Sequence, residues 1–153
     1  MNNLHELIKI ADIHAQRIAR AKNKIAHLFP ANAMIITKMT EDELVWIDLF
    51  VNRFSKLQDL LGAKIIDRFL QEINENAETL TMLDKVNKLE RLSIISDQKL
   101  WKEMREARNH AAHEYPDDPA LTAKYLNDVF ELAPELLKIL SNIKKMLASF
   151  NLI

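Results

Sequence analysis

The segment Arg108-Asn109-His110-Ala111-Ala112-His113-Glu114-Tyr115, followed at once by Pro116-Asp117-Asp118-Pro119, gathers the residue types that phosphate chemistry needs. Arginine carries a permanent planar charge that fits phosphate oxygens. Histidine takes or gives a proton near neutral pH. An arginine and a histidine on one short segment are the minimum set for splitting a phosphodiester without a metal. The segment also supplies an amide at Asn109 and a phenol at Tyr115.

Helical geometry constrains how these groups meet. At ~100° per residue, Arg108 and His113 stand roughly 140° apart around a straight helix. Asn109 and His113, at i and i+4, share a ridge that Arg105 continues one turn earlier. One chain therefore brings Arg108 and His113 to a single phosphate only if the helix ends near Ala112. Otherwise two copies of the segment must face each other across a twofold interface. Each residue also has a plainer reading: Arg108 bridging Glu103 or Glu106, His113 capping a helix end, Tyr115 filling a core. His110 and His113, at i and i+3, lack the cysteine or well-spaced carboxylate that a metal site would add. No metal or cofactor is expected.

The elements that must position this segment are helical. Leu4, Leu7, Ile8, Ala11, Ala15, Ile18, Ile25 and Leu28 trace one face of a long first helix, with Arg17, Arg20, Lys22 and Lys24 on the other. Pro30 closes it, and residues 29–39 form a connector with an apolar patch, Met34-Ile35-Ile36. Thr40-Glu41-Asp42-Glu43 is a capping box. It opens a second helix through Val45, Leu49, Phe50, Phe54, Leu57, Leu60 and Leu61, with a bend or short break expected at Gly62. Arg53, Lys56 and Asp59 share one side of that helix, where Arg53 and Asp59 are possible supports for the site, as His110 is on the segment itself. Asn74-Glu75-Asn76 reads as loop, and Leu83, Val86, Leu89, Leu92 and Ile95 mark a third helix. Ser96 or Asp97 caps a fourth, carrying Leu100, Trp101, Met104 and Ala107 into the segment, and Pro116 stops it. Asp118-Pro119 starts a fifth, which Pro134 should kink or split. The aromatic residues Trp46 and Trp101 are expected in packing, and His5, His14 and His27 carry no signal.

One glycine in 153 residues is too few for a fold built on tight turns. The expectation is one all-α domain over residues 1–153, an antiparallel bundle of about five helices. The absence of cysteine suits a cytoplasmic protein. No apolar run nears the ~18 residues of a membrane span, and the start, Met1-Asn2-Asn3-Leu4, lacks a signal-peptide layout. A net charge of −1 argues against a protein that coats nucleic acid at large, so any such contact must be local or assembled from two subunits.

Arg108-Asn109-x3-His113-Glu114-Tyr115 resembles the Arg-x4-His-x-Tyr motif of HEPN-domain proteins, specifically the HepT-like toxins. Arg53-Phe54-Ser55-Lys56-Leu57-Gln58-Asp59, the stretch from Asp84 to Leu92 and the downstream Tyr-Pro-Asp-Asp are similar to a bacterial HepT-like subgroup, over residues 45–140. The resemblance implies a helical homodimer that cuts RNA without a metal, with Arg108, His113 and Asn109 in the site. It also implies a minimal nucleotidyltransferase as antitoxin partner, which transfers AMP to Tyr115. His110 is an additional histidine that the motif does not define. The rival expectations are a non-catalytic adaptor that presents substrate to the nucleotidyltransferase, and a plain structural helical dimer.

Overall fold

Short polar side chains open most of the helices. Asn3, Asn32, Thr40, Thr81 and Asp118 each accept a backbone N–H from the first turn of the helix that follows. At Thr40 the capping box is complete, with Glu43 accepting the Thr40 N–H at 2.9 Å. A computed structural model of the chain describes residues 3–75, 77–113 and 115–153. Asn76 of the expected loop and Glu114 of the motif lie outside them.

The helices are α1 (Leu4–Ile25), α2 (Ala33–Thr37), α3 (Glu41–Leu60), α4 (Ile66–Glu72), α5 (Met82–Arg91), α6 (Lys99–Ala111) and α7 (Pro119–Ser149). The described residues contain no strand, and none of their helices is long and apolar enough to cross a membrane. The apolar stripes meet in a core of Phe50, Phe54, Phe69, Ile18, Leu57 and their neighbours. Cross-links show antiparallel packing. His14 meets Arg53 while His27 meets Glu43, and Asp12 meets Lys144 while Lys22 lies over Phe130. The result is an all-α bundle.

Several boundaries differ from the sequence expectation, each for a local reason. A 3₁₀ turn over Ala26–Leu28 prolongs α1, and the connector folds into the short α2. The Asn127 amide clamps that connector onto α7, accepting the Ala31 N–H at 2.7 Å and donating to the Ala31 carbonyl at 3.0 Å. At Gly62 the chain neither stops nor breaks; a π-helical turn over Leu61–Ile65 joins α3 to α4. A Cβ on Gly62 would sit 2.9 Å from the Trp101 ring, so the glycine is what lets α6 approach. Helix α7 is not split at Pro134. The proline is exposed, while Ala133 and Leu136 beside it are buried and hold both halves on one core.

Helix ends show how a chain with one glycine turns corners. Asn74, Ser93 and Asn151 take φ of 64°, 59° and 57°. Each is followed by an N–H that reaches back to the carbonyl five residues earlier: Glu75 to Leu70, Ile94 to Leu89, and Leu152 to Leu147. These are Schellman ends. Ser93 ends α5 before Ile94 and Ile95, which stay buried in the turn. Neither Ser96 nor Asp97 is the cap residue of α6: Gln98 holds that position with no side-chain bond, and Asp97, one residue earlier, accepts the Lys99 N–H at 2.9 Å.

Candidate functional site

Helix α6 ends with Ala111, and Ala112 is its cap residue. The Ala112 N–H bonds to the Arg108 carbonyl at 3.0 Å, and the His113 N–H tightens the last turn onto His110 at 3.2 Å. The helix thus stops well before Pro116. Tyr115 to Asp118 forms a β-turn with Pro116 in its second position, closed by the Asp118 N–H on the Tyr115 carbonyl at 3.1 Å. His113 lies beyond the end of the helix, so the ridge expected through Asn109 to His113 is interrupted.

The helix ends near Ala112, the stop that a single-chain site of Arg108 and His113 requires. Both line a cleft of about 670 Å³, together with Tyr115 and Pro116. Its opposite wall comes from α2, the Met39 connector and α3, including Ile36, Leu44, Ile47 and Val51. Leu126 of α7 also lines it. The volume is in the range of small-molecule sites. Apolar side chains face a cationic and aromatic edge, a combination that can hold a flat ring on one side and an anion on the other.

Arg108 is fixed from α3. Its Nη1 lies 2.6 Å from Asp59 Oδ1 and its Nη2 donates to Asp59 Oδ2 at 2.9 Å, a bidentate pair. Nη1 also donates to Gln58 Oε1 at 3.3 Å. Gln58 is the buried polar side chain of the described core, 3% exposed. The plainer reading of Arg108 as an ion-pair partner therefore holds in altered form. The acid is Asp59 across the bundle, not Glu103 or Glu106 of its own helix.

Of the other sequence candidates, Asn109 is exposed and does not line the cleft. His110 points to the opposite side of α6. Its ring stacks on Tyr125 with centroids 4.4 Å apart and 7° between planes. Tyr115 lies 5.4 Å from Tyr125 and 6.5 Å from His113, so its half-buried ring is held between them. Beyond His110, a smaller pocket of about 360 Å³ is lined by Glu103, Glu106, Asp128 and Glu131 with Lys124. Among the described residues no group of three or more His, Cys, Asp or Glu side chains is placed to hold a metal ion.

Arg53 faces away from the cleft, toward α1, where its Nη1 meets His14 Nδ1 at 3.0 Å. Burial, then the cations of Arg53, Lys56 and Arg17, hold the His14 imidazole below its ordinary value. His14 thus carries a structural contact that its sequence position did not reveal. Asp48, Asn52 and Ser55 of the cleft wall were also missed. With Asp59 they form a stripe of short polar residues at 48, 52, 55 and 59, a helical spacing that was there to be read. Comparison of the chain with protein-family models, with curated proteins and with solved structures finds no match.

Proposed function

We propose that the protein is a HEPN-like endoribonuclease toxin, working as a homodimer and cutting RNA in the Arg108–His113 cleft. The observation that carries this reading is that Arg108 and His113 line the same cleft. His113, exposed at the helix end, takes the proton of a ribose 2′-hydroxyl or protonates the leaving oxygen. Arg108 stabilises the charge that grows on the phosphorus oxygens. The attacking 2′-oxygen forms a bond to phosphorus as the 5′-oxygen leaves with a proton. The products are a 2′,3′-cyclic phosphate and a 5′-hydroxyl, which only RNA can give. Asp59 aims the guanidinium, and Leu44, Ile47 and Val51 offer an apolar wall to a base.

Support for a dimer comes from exposed apolar side chains on α2 and α3. Met34 is 65% exposed and Val45 63%, and the exposed Leu44 belongs to the cleft wall itself. A second copy covering them would enclose the site and double its positive charge. Tyr115 lines the same cleft, so an AMP group placed there by a partner nucleotidyltransferase adds charge and bulk where a phosphate must approach.

One observation favours the adaptor reading instead. Both terminal nitrogens of Arg108 are already engaged by Asp59 and Gln58, as expected of an arginine that holds helices together. The deciding experiment is RNA cleavage in the presence of EDTA, with the ends of the products identified. Cyclic phosphate ends, lost in His113→Ala, support the ribonuclease. An uncleaved RNA, dependence on a divalent ion, or equal cleavage of DNA sinks it.

A further inference from the structure

Outside α1 and α3, several of the described lysines and arginines are matched with carboxylates. Lys85 pairs with Asp67, Lys88 with Glu75, Arg108 with Asp59, Lys124 with Asp128 and Lys144 with Asp12. The α1–α3 face is different. Among the described residues, Arg17, Arg20 and Lys24 of α1 and Arg53 and Lys56 of α3 pair with no carboxylate.

These cations are neighbours because the two helices run antiparallel. At one end of the face, the Arg20 Cζ lies 5.6 Å and the Lys24 Nζ 5.7 Å from the centroid of the half-buried Trp46 ring. The ring quadrupole attracts both charges and holds them in place without neutralising them. Toward the other end, Arg53 is tied to His14, and the charges of Arg53, Lys56 and Arg17 all reach that imidazole. His14 positions the Arg53 guanidinium and, unlike a carboxylate, sets no negative charge against it. Trp46 and Lys56 are ten residues apart on α3, about 15 Å of helix. That is room for several successive phosphates.

A chain with a net charge of −1 that collects five unpaired cations on one helix pair is matched to a polyanion. We infer that the α1–α3 face is a docking surface for single-stranded RNA, separate from the cleft and contacting the sugar–phosphate backbone. The choice of RNA rests on the reading of the cleft as a ribonuclease site. The two faces flank α3: Trp46 and Arg53 are on one side, Asn52, Ser55 and Asp59 on the other. A strand docked on the first reaches the second by crossing a single helix. Contacts of this kind position a strand and carry no sequence preference.

The test uses a fluorescein-labelled 2′-O-methyl oligoribonucleotide, which the 2′-hydroxyl route cannot cut, and reads binding by anisotropy at several salt concentrations. Arg17, Arg20 and Lys56 are exposed helical positions, so Arg17→Gln/Arg20→Gln/Lys56→Gln alters charge without removing core contacts. A charge-matched control, Lys102→Gln/Lys138→Gln/Lys145→Gln, changes exposed lysines on α6 and α7. The expected result is about tenfold or greater weakening by the first triple variant only. Its slope of log affinity against log salt falls by about two, from ~0.7 per phosphate contact. Equal weakening by both variants, or none by either, overturns the docking face. Displacement of the oligonucleotide by poly-glutamate at lower concentration overturns it in favour of an acidic protein partner. Cleavage of ordinary RNA is measured alongside. Wild type that cuts no RNA but shows the expected binding pattern refutes the cleft reading alone, whereas active wild type with an unaltered triple variant refutes the docking face alone.

Discussion

Arg108→Ala and Asp59→Ala should not cost the same, although they delete the two halves of one ion pair. The pair is bidentate, but its side chains are 30% and 53% exposed, so solvent screens it. Such pairs contribute about 0.5–1 kcal/mol. Asp59→Ala loses that and little else, because the freed guanidinium can turn to water. Arg108→Ala also takes the donor from Gln58 Oε1, in a side chain only 3% exposed. An orphaned buried acceptor costs about 1–3 kcal/mol. The 3.3 Å separation is long for a hydrogen bond, which places this loss near the lower bound. Arg108→Ala should therefore destabilise by about 2 kcal/mol and Asp59→Ala by about 1 or less. Urea unfolding followed by far-UV circular dichroism measures both. Adding Gln58→Leu to Arg108→Ala removes the orphan and should recover about 1 kcal/mol. Equal costs for the two alanine variants, or no recovery with Gln58→Leu, would refute the role given to Gln58. A loss of about 2 kcal/mol leaves a domain of ordinary stability folded. An inactive Arg108→Ala protein can then be read as a statement about chemistry, and Asp59→Ala shows how much activity depends on aiming the guanidinium.

Gly62→Ala should destabilise by about 1–2 kcal/mol, because overpacking against the buried Trp101 exceeds the gain in helix propensity; a raised thermal midpoint would show that the π turn yields. Burial and nearby cations lower the His14 pKa in the folded chain, so the unfolded chain binds more protons as the pH drops below His14's ordinary value. Its contribution is present above about pH 6.5 and is lost as the pH falls through the folded value. His14→Gln should flatten the loss of stability in that window, and an unchanged profile would count against this. Glu43, lowered chiefly by the Thr40 N–H and then by His27, behaves oppositely to a group with a raised value. Its contribution is present above the ordinary glutamate range and fades as acid protonates it. His27→Ala should remove part of that acid sensitivity in a pH-dependent melt. Finally, co-expression with a partner nucleotidyltransferase should add AMP mass to wild type and to Tyr125→Phe but not to Tyr115→Phe, by intact-mass spectrometry. The two rings lie only 5.4 Å apart, so labelling of Tyr115→Phe alone would move the acceptor to Tyr125.

Local rules made most of the architecture readable. Caps at Thr40 and Asp118, the apolar stripe of α1 and the scarcity of glycine depend on side chains within a few residues of one another, and these set the helical elements. Periodicity failed at Ile94 and Ile95 because burial outlasts the helix: the left-handed turn at Ser93 folds both isoleucines back into the core. The residue types and spacing of the segment from Arg108 to Tyr115 could be read directly, since they are properties of the chain alone. Its geometry could not. Whether Arg108 and His113 share a cleft depends on where α6 stops. That stop falls at Ala111, well before Pro116, and Asp59 of α3 fixes the guanidinium across the bundle. Arg53 and Asp59 lie six residues apart on one helix, yet one turns to α1 and the other to α6. At ~100° per residue they stand about 120° apart, which helix geometry alone implies. That one side meets α1 and the other α6 is the long-range outcome that no window of sequence contains.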